Sequence, residues 1–546
     1  MESRWLRVLL LLVVIPVFLG ITPKASSANG PNTIAEVRAY NTPRQAALIV
    51  RERVNAATAI RARHLFKDIF SGKKANTMPD ISTIVSNVVG RLVEIQRTEE
   101  NGYDLNNNNG WPRDLSDSDD TTVGGDWDPN DVLPNNYGTV GMGLLMAYEM
   151  NGALEGTGHI KLDSRIAFLD AAEKAGDALV ARAAADVNNL VSTDIVFLYG
   201  LSHVVHESSD GPYYTSGLNG LQAFIKQNST ADTVDTFYSN VSGDLAQLKQ
   251  LKIWQLANWV EAAKLYASDA SSNTVPDVTP PLTLNAWADS LMSKICDHQD
   301  TAGGFCYDDN NKYARTAGQA KAVEVLKRFY DRNGEAYSDY RTSLKNGLAY
   351  LKDLQYNGKS GDPKNGAFYW GGNTRGKTLY PWDKVALQDQ CYGIQALAYN
   401  FQTTWKKRDS YKGSYLGANY LVKSMMATGP SDKNIYEVFV DRVNFDPASP
   451  LNSATVAIPR TDRNSEAIQA LYYSCKEGDV DRSGNIIAYN ALKVLKARIG
   501  LIQLNGPEIV AAERNNDGLI DDADITAILC DSVTNHAVPM CSFLGQ

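Results

Sequence analysis

Between residues 35 and 475 the apolar positions recur at intervals of three and four. Thr83–Gln96, Ser164–Ala185, Trp254–Ala267 and Leu344–Leu354 each carry an apolar stripe along one helical face. The alternating pattern of a half-buried strand is scarce, so this body is expected to be mainly α. A second, weaker regularity lies over the first: a turn of glycine and aromatic residues precedes a helix rich in small side chains. Asn109-Gly110-Trp111-Pro112 leads to Thr139–Tyr148, and Asp210-Gly211 with Tyr213-Tyr214 leads to Thr215–Phe224. Gly303-Gly304-Phe305 leads to Thr316–Ala322, and Asn365-Gly366 with Phe368-Tyr369-Trp370 leads to Cys391–Leu397. Asn464–Tyr473 reads as a fifth such helix, and Trp254–Tyr266 as a sixth without its turn.

Small residues let helix backbones approach closely, so these helices are expected to form an inner ring, with the longer amphipathic ones outside. The alternation resembles an α/α-toroid, the barrel of helical hairpins shared by glycosidase and polysaccharide-lyase families and by terpene cyclases and prenyltransferases. An open helical solenoid is the alternative architecture. The resemblance implies a fold and a cleft at the end where the turns crowd together, and a fold by itself names no activity.

The turns supply candidate chemistry. Trp111, Trp127, Tyr214, Tyr369, Trp370 and Trp382 are expected either to stack on sugar rings or to plug the barrel mouth. Glycosidases need one protonated and one ionised carboxyl group. Asp383, in Tyr380-Pro381-Trp382-Asp383, is the candidate on one side of the ring, with Asp114, Asp126 and Asp128 opposite. The same acidic segment allows a structural calcium at Asp104, Asn106 and Asn108, or a solvated loop. Asp117–Thr122 looks like the acidic signature of class II terpene cyclases, but its Ser, Gly and Asp neighbours favour coincidence. His203 and His206, one helical turn apart, could hold a metal with Asp210 or simply pack. A lyase would need a cation, for which Arg113, Arg315 and Arg375 are near the turns. A glycoside hydrolase is therefore expected before a polysaccharide lyase, with a non-catalytic binding or scaffold protein as the rival.

From residue 476 the pattern changes. Asp479–Asn490 and Glu513–Asp524 are twelve-residue segments 34 positions apart, with oxygen-bearing side chains at positions 1, 3, 5 and 12, Gly at 6 and Ile at 8. Calcium takes six to eight oxygens, and a tight loop with glycine at its sharpest point supplies them. Each segment runs into a helical apolar pattern. The duplicated loop and helix resembles a dockerin domain over about 479–530, which implies calcium as cofactor and a cohesin-like protein module as partner. Carried over, the ligands are Asp479, Asp481, Ser483, Asn485 through its carbonyl, and Asn490; then Glu513, Asn515, Asp517, Asp521 through water, and Asp524. Asn490 and Glu513 depart from the usual aspartate or glutamate and weaken the sites.

The N-terminus has Arg4 and Arg7, an apolar stretch from Leu9 to Leu19, and Ser26-Ser27-Ala28, the layout of an export signal at 1–28. Domains are thus expected at 29–475 and 476–546, in a secreted or surface-attached chain. The formal charge of −9 becomes −11 without Arg4, Arg7, Lys24 and Glu2, which argues against nucleic acid or anionic lipid as partner. Six cysteines in an exported chain suggest disulfides. Proximity favours Cys296–Cys306 and Cys530–Cys541, leaving Cys391–Cys475.

Overall fold

The computed structural model describes 81–96, 109–112, 136–154, 162–229, 252–268, 274–306, 313–358, 362–373, 384–402, 408–426, 438–444, 459–474, 478–480, 486–502, 511–514 and 520–534, apart from isolated positions, with a few shorter pieces between. Among these residues helix dominates, as the periodicity predicts. The body helices are α1 (Ile81–Glu94), α2 (Asn136–Leu154), α3 (Leu162–Ala185), α4 (Ser192–Val204), α5 (Pro212–Gln227) and α6 (Lys252–Ala267). They continue as α7 (Leu284–Asp297), α8 (Thr316–Val325), α9 (Ser338–Asp353), α10 (Leu387–Gln402), α11 (Arg408–Ser424) and α12 (Thr461–Tyr473).

The even-numbered helices close a ring. Each of α2, α4, α6, α8, α10 and α12 packs on the next, and α12 packs back on α2. The odd-numbered helices lie outside, each against the inner helix that precedes or follows it. A closed ring rather than an open solenoid is thus present. Closure is chemical as well as geometric: Ser465 Oγ on α12 donates to the Thr139 carbonyl on α2 at 2.8 Å, and Gln469 Nε2 donates to the same oxygen at 3.1 Å. A side chain at Gly143 would collide with that serine, so glycine sets the spacing of the seam.

The repeat has a mechanism. Asn109, Gly303 and Gly366 adopt positive φ, and two residues later Trp111, Phe305 and Phe368 turn inward. A glutamine just past an outer helix latches each turn. Gln96 Nε2 donates to Asn109 and Ala171 carbonyls, Gln299 Nε2 to Gly303 and Ser343, and Gln355 Nε2 to Gly366 and Gly413. From the inner side, Gln319 accepts from Phe305 N and donates to Gly303 and Gly347. Gln390 accepts from Phe368 N and donates to Gly366 and Gly417. Asn464 accepts from Phe439 N in the same way. Buried backbone groups that no helix or strand can satisfy are met by side-chain amides from the outer side, the inner side or both.

One expected assignment is corrected. Thr215–Phe224 lies in α5, which packs on α3, α4 and α6 from outside. The inner helix of that hairpin is Ser192–Val204, which no glycine-aromatic turn precedes. Short antiparallel strands decorate the turn end: β3 (Tyr313–Arg315) pairs with β4 (Gly371–Asn373), which pairs with β5 (Thr378–Leu379). β6 (Lys384–Ala386) pairs with β7 (Arg442–Asn444) in the register Val385 to Val443, and β1 (Thr274–Val275) with β2 (Leu282–Thr283) lies elsewhere. These short pairs span neighbouring turns.

After α12 comes a separate small core. Two helices, α13 (Ala488–Arg498) and α14 (Asp522–Thr534), pack together. Val480, Ala491, Val494, Ala511, Ala512 and Ile528 are its buried side chains, with Ile486, Leu504, Ile520 and Ile525 against them. Ile486 and Ile520, Ala491 and Ile525, and Val494 and Ile528 are each 34 residues apart, so the sequence duplication is also a duplication of packing.

Candidate functional site

Six inner helices closed into a ring leave a void between them. A cavity of about 210 Å³ runs between them, lined from every inner helix: Gly138 and Thr139 on α2, Thr193, Tyr199 and Gly200 on α4, Asn258 and Glu261 on α6, Lys321 and Glu324 on α8, Tyr392 and Gln395 on α10, and Gln469 and Tyr473 on α12. It is smaller than the ~300–1,000 Å³ of sites for drug-sized ligands.

Its charged wall is a balanced quartet. Lys321 Nζ lies 2.5 Å from Glu261 and 3.3 Å from Glu324. Arg328 pairs with Glu261 and reaches Glu324 at 3.5 Å. Arg328 belongs to a π-helical turn, Leu326–Tyr330, that continues α8. Such turns are rare and cluster at functional sites, because the extra residue re-aims the side chains that follow. Burial alone would raise the Glu261 carboxyl; Lys321 and Arg328 outweigh it and hold that group below its ordinary range. Burial opposes the charge on Lys321, yet Glu261 and Glu324 hold the ammonium protonated.

A second polar chain crosses the starts of α8, α10 and α12. Asp389 binds Arg315 Nε at 3.2 Å, and Arg315 Nη2 donates to Gln388 Oε1 at 3.0 Å. Gln388 Nε2 donates to Glu466 Oε1 at 3.4 Å, and Arg463 Nη1 donates to both Glu466 oxygens at 2.9 and 3.0 Å. Arg460 forks onto Asp462 at 3.1 and 2.8 Å. Burial pushes Glu466 up to about 7, against the pull of Arg463. The Glu466 backbone carbonyl accepts from the cavity residue Gln395 at 3.4 Å, and the Glu466 charge is felt at the cavity residue Tyr392, as is that of Glu324. Asp389 and Asp194 serve differently. Each sits at the third position of an inner helix and accepts from a backbone N–H at the start of the preceding inner helix, Ala317 and Gly138 respectively. Burial raises both carboxyls, Asp194 to about 7.

The sequence candidates fall into three groups. Asp383, Asp114, Asp126, Asp128, Trp127, Trp382, Arg113, Arg375, Asp104, Asn106 and Asn108 lie outside the described residues, as does Asp117–Thr122. Trp111 and Tyr214 are corrected from sugar platforms to packing residues. Trp111 is wholly buried and its indole N–H donates to the Leu92 carbonyl at 2.8 Å; Tyr214 is buried between Tyr199 and Tyr266. Tyr369 and Trp370 stay half-exposed at the turn end, with the Arg315 guanidinium 5.0 Å above the Trp370 ring. Arg315 is engaged there by the Asp389 carboxylate and the Trp370 indole. His203 does not join His206: its Nδ1 sits 2.8 Å from the Tyr199 carbonyl and its ring packs on Tyr199, while His206 ends the helix at positive φ. Sequence reasoning missed Glu261, Lys321, Glu324, Arg328 and Glu466. The available signal was charge on helices otherwise made of small and apolar residues.

The disulfide expectation fails for Cys296 and Cys306, which are not joined. Cys296 faces Ser343, Tyr330 and Tyr340, whereas Cys306 lies beside Tyr350 with its thiol toward the Gly304 carbonyl. The Gln299–Phe305 bridge directs the two thiols to different neighbours. Cys391 is a buried thiol on α10, and Cys475 and Cys541 lie outside the described residues.

In the tail, Asp479 and Asn490 on the first calcium-type segment and Asp524 on the second are buried polar side chains. Asp524 accepts from Arg514 N at 2.6 Å and Asp521 N at 2.9 Å, so its carboxylate is turned into the second loop. A carboxylate is the donor type that a hard cation takes. Asp481, Ser483, Asn485, Glu513, Asn515 and Asp517 lie outside the described residues.

No protein-family model and no curated protein matches this chain. Among solved structures, the unsaturated glucuronyl hydrolase of Bacillus sp. GL1 is similar at 10% identity and TM-score 0.41, over 72% of this chain and 94% of that one. An unsaturated glucuronyl hydrolase specific for heparin is similar at 12% identity and TM-score 0.41, over 72% and 96%. A cellobiose 2-epimerase from Spirochaeta thermophila DSM 6192 is similar at 11% identity and TM-score 0.38, over 62% and 86%. The ring assignment rests on this chain's own contacts.

Proposed function

We propose that the body is a carbohydrate-active enzyme, a glycoside hydrolase before a lyase, working in the axial cavity. One observation carries the reading: a closed ring surrounds a void lined by Glu261, which two cations hold ionised, and Glu466, which burial raises, is joined through its backbone to the lining residue Gln395. Glu466, raised to about 7, can carry a proton at neutral pH; Glu261, held ionised by Lys321 and Arg328, can stabilise developing positive charge. Glu466 is the candidate acid. The cavity's size suits one sugar ring at a time, which favours attack at the end of a glycan. Asp383, one residue before β6, remains a candidate second carboxylate from the turn end.

The tail reading is a calcium-loaded, dockerin-like plug that attaches an exported chain to a cohesin-like module. It is supported by the duplicated packing, by the buried Asp479, Asn490 and Asp524, and by surface chemistry. Leu495, Ile499, Leu501 and Leu529 are the exposed large apolar side chains among the described residues, and all lie on this tail.

The test is a panel of polysaccharides and oligosaccharides incubated with the full chain and read by product chromatography. Product that disappears in Glu466→Gln, with the melting temperature kept, supports the reading. Glycan binding without product moves the body to a binding module, and neither binding nor product moves it to a scaffold.

A further inference from the structure

We propose that the axial cavity selects a neutral sugar ring over an acidic or a basic one, because its charged lining is already balanced. The proposal rests on the placement of substrate in that cavity.

The argument begins with charge. The charged groups lining the void are Glu261, Glu324, Lys321 and Arg328, two of each sign. Each cation is already bound to both carboxylates. A ligand carboxylate would enter a low-dielectric space as a third anion with both local cations committed, and an isolated buried charge is costly. A ligand ammonium would meet the reverse problem. A neutral ring adds no charge to the balance.

The uncharged lining, with Thr139, Gln395 and Gln469 in it, suits a neutral ring. The ~210 Å³ volume limits the bound part to about one ring.

The experiment titrates the full chain by calorimetry and ligand-observed NMR with D-glucose, D-galactose, D-mannose, D-xylose and N-acetyl-D-glucosamine, and with D-glucuronate and D-galacturonate. The expected result is that at least one neutral sugar binds tenfold or more tightly than either uronate. Glu324→Gln leaves the cations one charge in excess and should narrow or reverse that preference. Lys321→Met leaves the carboxylates in excess and should widen it, and it serves as the second test if the glutamine variant fails to fold. Equal or tighter uronate binding by the native chain overturns neutral selection and leaves the cavity as the sugar site. A preference unchanged in both folded variants overturns the charge-balance argument. Binding of no sugar at all removes the cavity reading itself.

Discussion

Thr461 Oγ1 donates to the Pro112 carbonyl at 2.5 Å across 349 positions, and Thr316 Oγ1 donates to the Tyr369 carbonyl at 2.5 Å across 53. Pro112 follows Trp111 as Tyr369 follows Phe368. The last inner helix therefore treats the first turn as its next neighbour. Closure of the ring is one more instance of a contact used inside it. Thr461→Val and Thr316→Val should each cost about 1–3 kcal/mol, since each leaves a buried carbonyl short of a donor. Urea denaturation should give similar midpoint losses. A neutral Thr461→Val would mean that the seam is held by other contacts.

Gln390 and Gln319 each satisfy one backbone N–H and two carbonyls of their turns. Leucine at either position deletes three bonds and orphans three buried groups, so a loss of about 3 kcal/mol or more is expected. Chemical denaturation should place the two variants close together. A loss near zero for either would show that water replaces the amide.

Glu466 gives a signed pH effect. Its proton is held up to about 7 in the fold, against an ordinary 4.5. Between those values the folded chain binds more protons than the unfolded one, so stability falls as pH rises through the window. Glu466→Gln should remove that slope, and its melting temperature should gain on wild type from pH 5 to pH 8. Parallel curves for the two proteins would contradict the placement of this carboxyl.

Thiols provide a cheap check of the cysteine correction. Burial pushes the Cys296 thiol up to about 12. The thiolate is the reactive form, so alkylation of native protein at pH 8 should be slow at Cys296 and become fast on unfolding. Non-reducing peptide mapping should recover Cys296 and Cys306 on separate peptides. A joined peptide would restore the bridge that their neighbours argue against.

The tail has a core of few side chains, so a bound cation should supply much of its folding energy. Chelator should lower the melting transition of 476–546 and leave that of the body nearly unchanged. Asp479→Ala combined with Asp481→Ala should reproduce the effect. Identical circular dichroism of the isolated tail with calcium and with chelator would end the calcium reading.

Periodicity sufficed for the helices, because a stripe at three- and four-residue intervals has few other uses. The recurring glycine-aromatic turn identified the hairpin repeat and three of the inner helices for a similar reason: positive φ and a close approach admit few residues. It failed at Ser192–Val204, which no such turn precedes. The duplicated spacing of the tail likewise led to a duplicated core. The turn aromatics could not be read the same way. An inward aromatic and a solvent-facing one look alike in sequence, and only packing put Trp111 and Phe305 inside while leaving Trp370 under Arg315 at the surface.

The cavity was decided wholly by tertiary structure. Glu261, Lys321, Glu324 and Arg328 come from α6, α8 and the π-helical turn, and their charges acquire meaning only when the ring brings them within salt-bridge reach. Glu466 has an ordinary neighbourhood in sequence, and burial alone makes it hold a proton. Local sequence determines what a segment can form by itself. Charge pairing and desolvation depend on residues tens of positions apart and closure on residues hundreds apart, and no local pattern records them.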